Sequence, residues 1–146
     1  MADVTVDIKD LLVSAGIGIF GGLTGWNITI GGFPASPHQS IMIIRVGGRD
    51  RNPKYALDHP SIQILIRGNK EDYLSPYNKA EAIYTLLLGL PPQTVNSTYI
   101  VGVYAIGDIL QLTPDESRRF IFSTNWRIIR QPPVGTGNRT ALPAST

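Results

Sequence analysis

The segment from Ser61 to Pro92 constrains the fold more strongly than any other part of the 146-residue chain. In its first part Ile62, Ile64 and Ile66 lie at alternate positions, which is the period of two residues that a half-buried strand shows. After a short polar loop, apolar residues recur at helical spacing, namely Ala80, Ile83, Tyr84, Leu87 and Leu88. The segment therefore predicts a strand whose isoleucine face is covered by the apolar stripe of the next helix.

Two amphipathic helices are predicted, and both carry signals at their ends. In the helix just described, Ser75 is a candidate N-cap with Pro76 at the first helical position, where a missing N–H costs nothing. Gly89 and the two prolines after it predict the end of this helix. The other helix is predicted near the start of the chain, with Asp3 as its cap and Gly16 as its stop.

The remaining apolar segments are short and rich in β-branched and aromatic residues. They predict strands at 26–30, 41–46, 98–112 and 119–130, in addition to the strand of the Ser61–Pro92 segment. The first two are expected to form a hairpin, and the glycine-rich segment 16–25 is expected to hold no regular element. A break in the strand at 98–112, such as a bulge, is expected at its glycines.

This order of elements predicts an α+β fold, with a mostly antiparallel sheet of about five strands and two α-helices packed on one face. Residues 1–130 are expected to form a single domain. Residues 131–146 show no hydrophobic periodicity, so they are expected to form an extended or disordered C-terminal tail.

Charged residues make up only 16% of the chain, below the roughly 25% of typical soluble domains. Such a deficit is expected where partner proteins cover part of the surface, since the centres of protein interfaces are depleted in charge. A β-rich domain without partner proteins would show the same composition, so both interpretations remain open. The chain lacks cysteine, which excludes disulfides and thiolate metal sites. Neither a secretory signal nor a membrane span is predicted.

The sequence contains residues that occur in catalytic and cofactor-binding motifs, but the predicted elements next to them do not fit such sites. Gly16, Gly18 and Gly21 spell G-x-G-x-x-G, but a predicted helix precedes them and a strand follows, the reverse of the order at a dinucleotide site. His38 and His59 stand in loops, without a second ligand at metal-binding spacing. We therefore predict no catalytic residue, no cofactor and no metal site.

Nine of the thirteen basic residues are arginine, which suits bidentate pairing with carboxylates better than lysine does. Four of them lie on predicted strands or at strand ends: Arg45, Arg67, Arg127 and Arg130. These four either face solvent or pair with carboxylates of a neighbouring subunit, and the sequence favours neither. The net charge is +2, and no run of basic residues marks a nucleic-acid surface.

Two parts of the chain resemble the tail terminator proteins of tailed bacteriophages, which are also described as minor capsid proteins. The first is a strand that ends in Arg-Gly, Ile64–Gly68, followed by a short loop and a helix with an aromatic-x-Lys-Ala start, Tyr77–Leu90. The second is a final strand of the F-S-x-N-x-x-I type, Phe122–Ile129. With the order of the elements, the resemblance covers most of the chain up to Arg130. It implies two helices packed against a curved sheet.

The resemblance implies a structural protein of the virion and not an enzyme. Its implied role is to form a ring, usually hexameric, on the last ring of tail tube protein, to stop further polymerisation and to offer a surface to neck or head-completion proteins in head–tail joining. DNA would pass through the lumen without specific binding, and assembly would take place in the cytoplasm of the host bacterium. Alternatives are another neck component, such as a head-closure or adaptor protein, a nucleic-acid binder, or a small nucleotide-binding module that uses Gly16–Gly22.

A ring requires head-to-tail contacts, in which one patch of a subunit meets a different patch of its neighbour. The expected contact regions are the loop 47–60, the loop 70–75 before the second helix, the polar face of the last strand and the tail from Gln131. The candidate interface residues are Arg45, Arg49, Arg51, Arg67, Glu71, Asp72, Arg119, Asn125, Arg127 and Arg130.

Overall fold

The computed structural model describes residues 3–22, 24–134 and 137–142, and these residues form two α-helices and eight β-strands. The predicted α+β class is confirmed. In chain order the elements are α1 (Val4–Ser14), β1 (Ile19–Phe20), β2 (Asn27–Ile30), β3 (Ser40–Gly48), β4 (Pro60–Lys70), α2 (Leu74–Leu87), β5 (Gln93–Val95), β6 (Thr98–Ala105), β7 (Leu110–Leu112) and β8 (Arg119–Gln131).

The eight described strands form one mixed sheet in the order β1-β2-β3-β4-β8-β6-β5, and β7 pairs with β8 off this path. The β1–β2 and β2–β3 pairings are parallel, whereas the other pairings among the described strands are antiparallel. The prediction of about five mostly antiparallel strands is therefore wrong in the number of strands, and it is also wrong in the direction of pairing at the edge formed by β1, β2 and β3. The hairpin predicted for β2 and β3 is also wrong. Because β2 has only four residues, the nine residues 31–39 are long enough to bring the chain back to the level of the first residue of β2, so that β3 runs parallel to it.

Two short strands, β1 and β5, were not predicted, and one predicted strand is divided. β1 lies in the glycine-rich segment, where the N–H of Ile19 donates to the carbonyl oxygen of Trp26 at 3.0 Å. The segment 98–112 forms β6 and β7, because the chain turns at Gly107, which has a φ of +76°. A register shift between Ile100 and Gly102 confirms the expected bulge.

The hydrophobic core lies between the sheet and the two helices. Ile62, Ile64 and Ile66 are fully buried on the face of β4 that α2 covers, as predicted. The strand register places Trp126 opposite Ile62 and Phe122 opposite Ile66, so β8 continues the same apolar face. α1 packs on β1, β2 and β3 while α2 packs on β4 and β8, which confirms that both helices lie on one face.

The structure confirms Asp3 and Gly89 as helix-end signals, whereas the predicted start of α2, with Ser75 as cap and Pro76 as first residue, is wrong. Asp3 caps α1, since its Oδ1 accepts a hydrogen bond from the N–H of Thr5 at 3.0 Å. Gly89, with a φ of +74°, follows the end of α2 as predicted. Ser75 is not the N-cap of α2, because the helix begins at Leu74 and the N–H of Ser75 donates to Oδ1 of Asp72 at 3.2 Å. Neither described helix is long and apolar enough to cross a membrane.

Candidate partner-binding surfaces

A pocket of about 270 Å³ lies at the end of the sheet where β3 ends, β4 begins and the last residues of β8 lie beside them. We call it the arginine pocket. It brings together four of the ten residues that the sequence predicted at interfaces, although they come from two separate parts of the chain. Its lining consists of Arg45, Gly47, Gly48, Arg49, Arg51, Asp58, His59, Pro60 and Arg130.

Two glycines allow the backbone to form one wall of the arginine pocket. Gly47 and Gly48 have φ values of +83° and +132°, a region that favours glycine. A Cβ atom on Gly48 would overlap the carbonyl oxygen of His59, so β3 and β4 approach closely there. The N–H of Arg49 donates to the same carbonyl oxygen at 3.1 Å. The chain leaves the sheet after Gly48, and the next two arginines, Arg49 and Arg51, lie at the rim of the pocket.

Arg130 lies in the interior of the pocket and is only 1% exposed. Its Nη1 lies 3.9 Å from Oδ2 of the buried Asp7 on α1, and its backbone forms two hydrogen bonds with Asp58, of 2.9 and 3.0 Å. Burial lowers the pKa of the Arg130 guanidinium, and the charges of Arg45 and Arg51 lower it further, against the effect of the two carboxylates. Burial also raises the pKa of Asp7. Positive charge is therefore concentrated in this pocket.

The carboxylates near the arginine pocket already pair with arginines of the same chain. Asp3 pairs with Arg45 at 3.0 Å, and Asp58 accepts a hydrogen bond of 2.6 Å from Arg139. Among the residues that the structure describes, no acidic side chain lies within ion-pair distance of Arg49 or Arg51, and both arginines are exposed. The rim can therefore hold an additional anionic group, such as a carboxylate or a phosphate.

Arg67 lies inside the subunit, where it binds the proline-rich connection between β2 and β3. Its Nε donates to the carbonyl oxygen of His38 at 3.0 Å, and its Nη2 donates to those of Pro34 and Pro37 at 2.6 and 2.9 Å. The guanidinium also lies 4.7 Å from the centre of the Phe33 ring. Burial, with a smaller effect of a neighbouring arginine, lowers its pKa to about 10, which leaves the group charged at neutral pH.

At the opposite end of β4, three of the candidate residues contact nearby residues of the same subunit. Glu71 forms an exposed ion pair of 3.0 Å with Arg118. Asp72 accepts the hydrogen bond at the start of α2 described above. Arg119 donates from Nε to Oδ2 of Asp115 at 2.7 Å. The Glu71–Arg118 pair therefore connects the loop 70–75 to the turn before β8.

The other two candidates, Asn125 and Arg127, lie on the face of β8 that the helices do not cover. Their strand neighbours on β4 are Gln63 and Ser61, and Arg127 also lies opposite Tyr104 of β6. Both are half-buried. Both lie on the opposite face of β8 from Arg130. The structure therefore does not join all ten candidates into one site.

A second surface, which we call the β6–β7 edge, was not predicted from the sequence. Its apolar members are exposed by 47% at Tyr104, 47% at Ile106 and 56% at Leu110, and Asp108 lies between the last two. Leu88, at the end of α2, is 52% exposed and lines an adjoining groove of about 500 Å³. The sequence pattern predicts a single strand over 98–112, whereas the turn at Gly107 leaves Ile106 outside β6 and Leu110 on the separate strand β7, both with exposed side chains.

Two carboxylates, those of Glu81 and Asp108, lie at the β6–β7 edge. The hydroxyl of Tyr77 donates to Oε1 of Glu81 at 2.8 Å, and the hydroxyl of Tyr84 donates to the carbonyl oxygen of Gly107 at 2.9 Å, next to Asp108. The hydrogen bond and charge of Glu81, with a smaller effect of Asp108, raise the pKa of Tyr77. No lysine or arginine of the described segments lies within ion-pair distance of either carboxylate.

The glycine motif lies between α1 and β1 and packs against the subunit's own chain. A Cβ atom on Gly18 would lie 2.9 Å from the carbonyl oxygen of Trp26, so the backbone already fills the space near this glycine. The ammonium of Lys79 donates to the carbonyl oxygen of Ile17 at 3.0 Å. Within the described ranges, no group of three or more histidine, aspartate or glutamate side chains is arranged to hold a metal ion.

Comparison with known proteins identifies one family. Residues 9–132 match the model of a family described as bacteriophage tail terminator protein. The match begins within α1 and ends just after β8, so it includes α2 and the whole described sheet. No curated protein sequence matches the chain.

Proposed function

Because the chain belongs to the bacteriophage tail terminator family, and is therefore a structural component of the phage tail, we propose that it forms a ring on the end of the tail tube. The ring stops the polymerisation of the tube protein. Its other side offers the surface to which a neck or head-completion protein attaches. The family match over 124 consecutive residues, 9–132, is the observation that carries this proposal.

The two surfaces of the subunit support a ring. A closed ring is built from heterologous contacts, in which one patch meets a different patch on the neighbouring copy. The arginine pocket is polar and positively charged, whereas the β6–β7 edge is apolar with two carboxylates. A subunit that carries two such unlike surfaces is suited to head-to-tail association, and we propose the hexamer as the closed form.

The charge of the chain supports a lumen that DNA crosses without specific binding. The formal net charge is only +2, and the basic residues of the arginine pocket line a concavity instead of an extended track. Proteins that hold DNA neutralise many phosphates along such a track. We propose that the protein acts by binding other proteins, without catalysis, and that the ring assembles in the cytoplasm of the host.

Tail length tests whether the protein stops tube growth. A phage that lacks the protein should produce tubes of variable and excessive length, because tube subunits continue to add at the uncapped end. Adding the purified protein during tube polymerisation should shorten the distribution and place a ring at one end of each tube, as seen by electron microscopy. Tubes of normal length without the protein would contradict this role.

A block in head–tail joining distinguishes the terminator from the other neck components. When joining is blocked, headless tails should carry the protein and filled heads should lack it, which immunogold labelling of separated particles measures. Filled heads that carry the protein, together with tails that lack it, would assign it to the head side as a head-closure or adaptor protein.

A further inference from the structure

The arginine pocket and the β6–β7 edge are complementary in charge. We propose that the arginine pocket of one copy receives the carboxylate of Asp108 from the β6–β7 edge of the next copy around the ring. This inference rests on the ring proposed above and identifies the two surfaces that join in it. The apolar side chains on both sides of Asp108 surround the ion pair and exclude water from it.

The arginine pocket has the size and the charge for one carboxylate. Arg49 and Arg51 at its rim have no acidic partner among the described residues, and Arg51 is close enough to the buried Arg130 to lower the pKa of its guanidinium. An incoming anion relieves this repulsion between like charges. The guanidinium fork pairs with a carboxylate through two parallel hydrogen bonds.

The β6–β7 edge has the composition of the centre of a protein interface. Ile106 and Leu110 project exposed apolar surface on either side of Asp108, and Tyr104 adds an exposed aromatic ring. Tyrosine is enriched among residues that dominate binding energy, particularly where surrounding apolar contacts exclude water. Oδ1 of Asp108 accepts a hydrogen bond from the N–H of Ile109 at 2.7 Å, but no cation of the described residues pairs with this carboxylate. A carboxylate in such a strip is costly to bury unless the partner provides a cation, and the arginine pocket provides several.

The positions of the two surfaces are compatible with a closed ring. The arginine pocket lies where β3 meets β4, and the β6–β7 edge lies beyond β8 on the other side of β4. Three strand spacings separate β3 from β6 and β7, or about 14 Å across the sheet. The two surfaces therefore face different neighbours. A DNA duplex is convex and presents its phosphates in rows, so a concave pocket of about 270 Å³ fits a side chain better.

Cysteine cross-linking tests the contact directly, because the natural chain contains no cysteine. A variant with both Arg51→Cys and Asp108→Cys should form, under mild oxidation of rings or of capped tubes, a ladder of covalent oligomers that ends at the ring number. Each single variant should form no ladder, because the proposed contact places its one thiol opposite a residue that has none. A control variant with Arg118→Cys and Asp108→Cys should give no ladder, since Arg118 is exposed but lies near Glu71 at the opposite end of β4.

Charge reversal provides an independent test. Arg51→Glu and Asp108→Arg should each reduce the ring fraction about tenfold or more in native mass spectrometry, because each places like charges together. Combining both changes in one chain should restore most of the rings. Arg118→Glu and Glu116→Lys serve as exposed controls and should leave the ring fraction unchanged. Circular dichroism should show that all variants remain folded, as expected for exposed positions.

The possible results separate this inference from the proposed function. Rings that form normally in both charge-reversed variants, with no cysteine ladder, overturn the contact but leave the ring intact. Intact rings with reduced retention of DNA in Arg51→Glu would assign the pocket to phosphates, which also overturns the contact. A wild-type protein that stays monomeric both alone and with tail tubes overturns the ring itself, and the contact with it.

Discussion

Replacement of Arg67 by methionine tests whether this side chain organises the subunit or serves a partner. Methionine keeps much of the aliphatic stem, so the apolar packing is largely retained. It removes the three hydrogen bonds to the carbonyl oxygens of Pro34, Pro37 and His38, and the contact with the ring of Phe33. We expect the folded state to lose stability and the segment 33–39 to detach from the sheet.

The expected loss follows from two opposing terms. Each hydrogen bond from a charged donor contributes roughly 1.5–3 kcal/mol to stability. Removing the buried guanidinium recovers part of its desolvation cost, which is several kcal/mol. The carbonyl oxygens that lose their donor also gain water when the segment detaches. We therefore expect a net loss of about 2–4 kcal/mol, or a fall in melting temperature of roughly 5–15 °C for a domain of this size.

Urea denaturation followed by circular dichroism measures this loss, and hydrogen exchange shows whether the segment 33–39 has detached. Arg67→Lys should recover less than half of the stability, because one ammonium cannot span the three carbonyl oxygens. Arg118→Met is the matched control, since its exposed ion pair with Glu71 contributes about 0–1 kcal/mol. A loss below about 1 kcal/mol in Arg67→Met, with unchanged exchange, would refute the reasoning.

Three further predictions concern stability. Gly48→Ala should destabilise the protein by about 3 kcal/mol or more because its Cβ overlaps the facing strand, whereas Gly47→Ala, with open space around it, should cost about 1 kcal/mol; equal melting temperatures would contradict this. Ile64→Ala should cost about 2–5 kcal/mol in urea denaturation, and a loss under about 1 kcal/mol would show that the core has collapsed around the cavity. Asp3→Ala should cost about 1 kcal/mol at pH 7. Burial alone would raise the pKa of Asp3, but hydrogen bonds from Thr5 and Arg45 outweigh it and hold the pKa below 3.8. This contribution is therefore present above pH 3.8 and is lost as the pH falls through the lowered value; a difference between wild type and variant that is constant from pH 7 to pH 3 would contradict it.

The sequence was sufficient for those elements whose apolar residues follow a regular period. The isoleucines of β4, the stripe of α2 and the alternation of β8 each predicted an element and its buried face. Their patterns are local, because burial on one face imposes the period on the residues themselves. The predicted start of α2 is wrong, since the helix begins at Leu74, which makes Pro76 its third residue, and Asp72 supplies the oxygen that accepts from the N–H of Ser75.

The edges of the sheet were not predictable from such patterns. β1 and β5 have two and three residues, too few for any period to be visible. The parallel pairing of β2 with β3 depends on how the connection 31–39 folds back, and Arg67, far along the chain, holds that connection. The β6–β7 edge was missed for a similar reason, because its exposure results from a turn at Gly107 inside an apolar stretch.

The arginines show why a candidate interface is harder to predict than a core. In the sequence, Arg67 lies on a predicted strand and Arg51 in the loop 47–60, and neither position indicates whether the side chain has a partner in its own chain. In the structure, Arg67 is 3% exposed and its donors bind carbonyl oxygens of its own chain, while Arg51 is exposed beside the arginine pocket. A donor that is already satisfied gains little from a partner, whereas a partner's carboxylate adds a new charge-assisted bond at Arg51. Substitutions at Arg67 should therefore change the stability of the subunit, and substitutions at Arg51 should change its assembly.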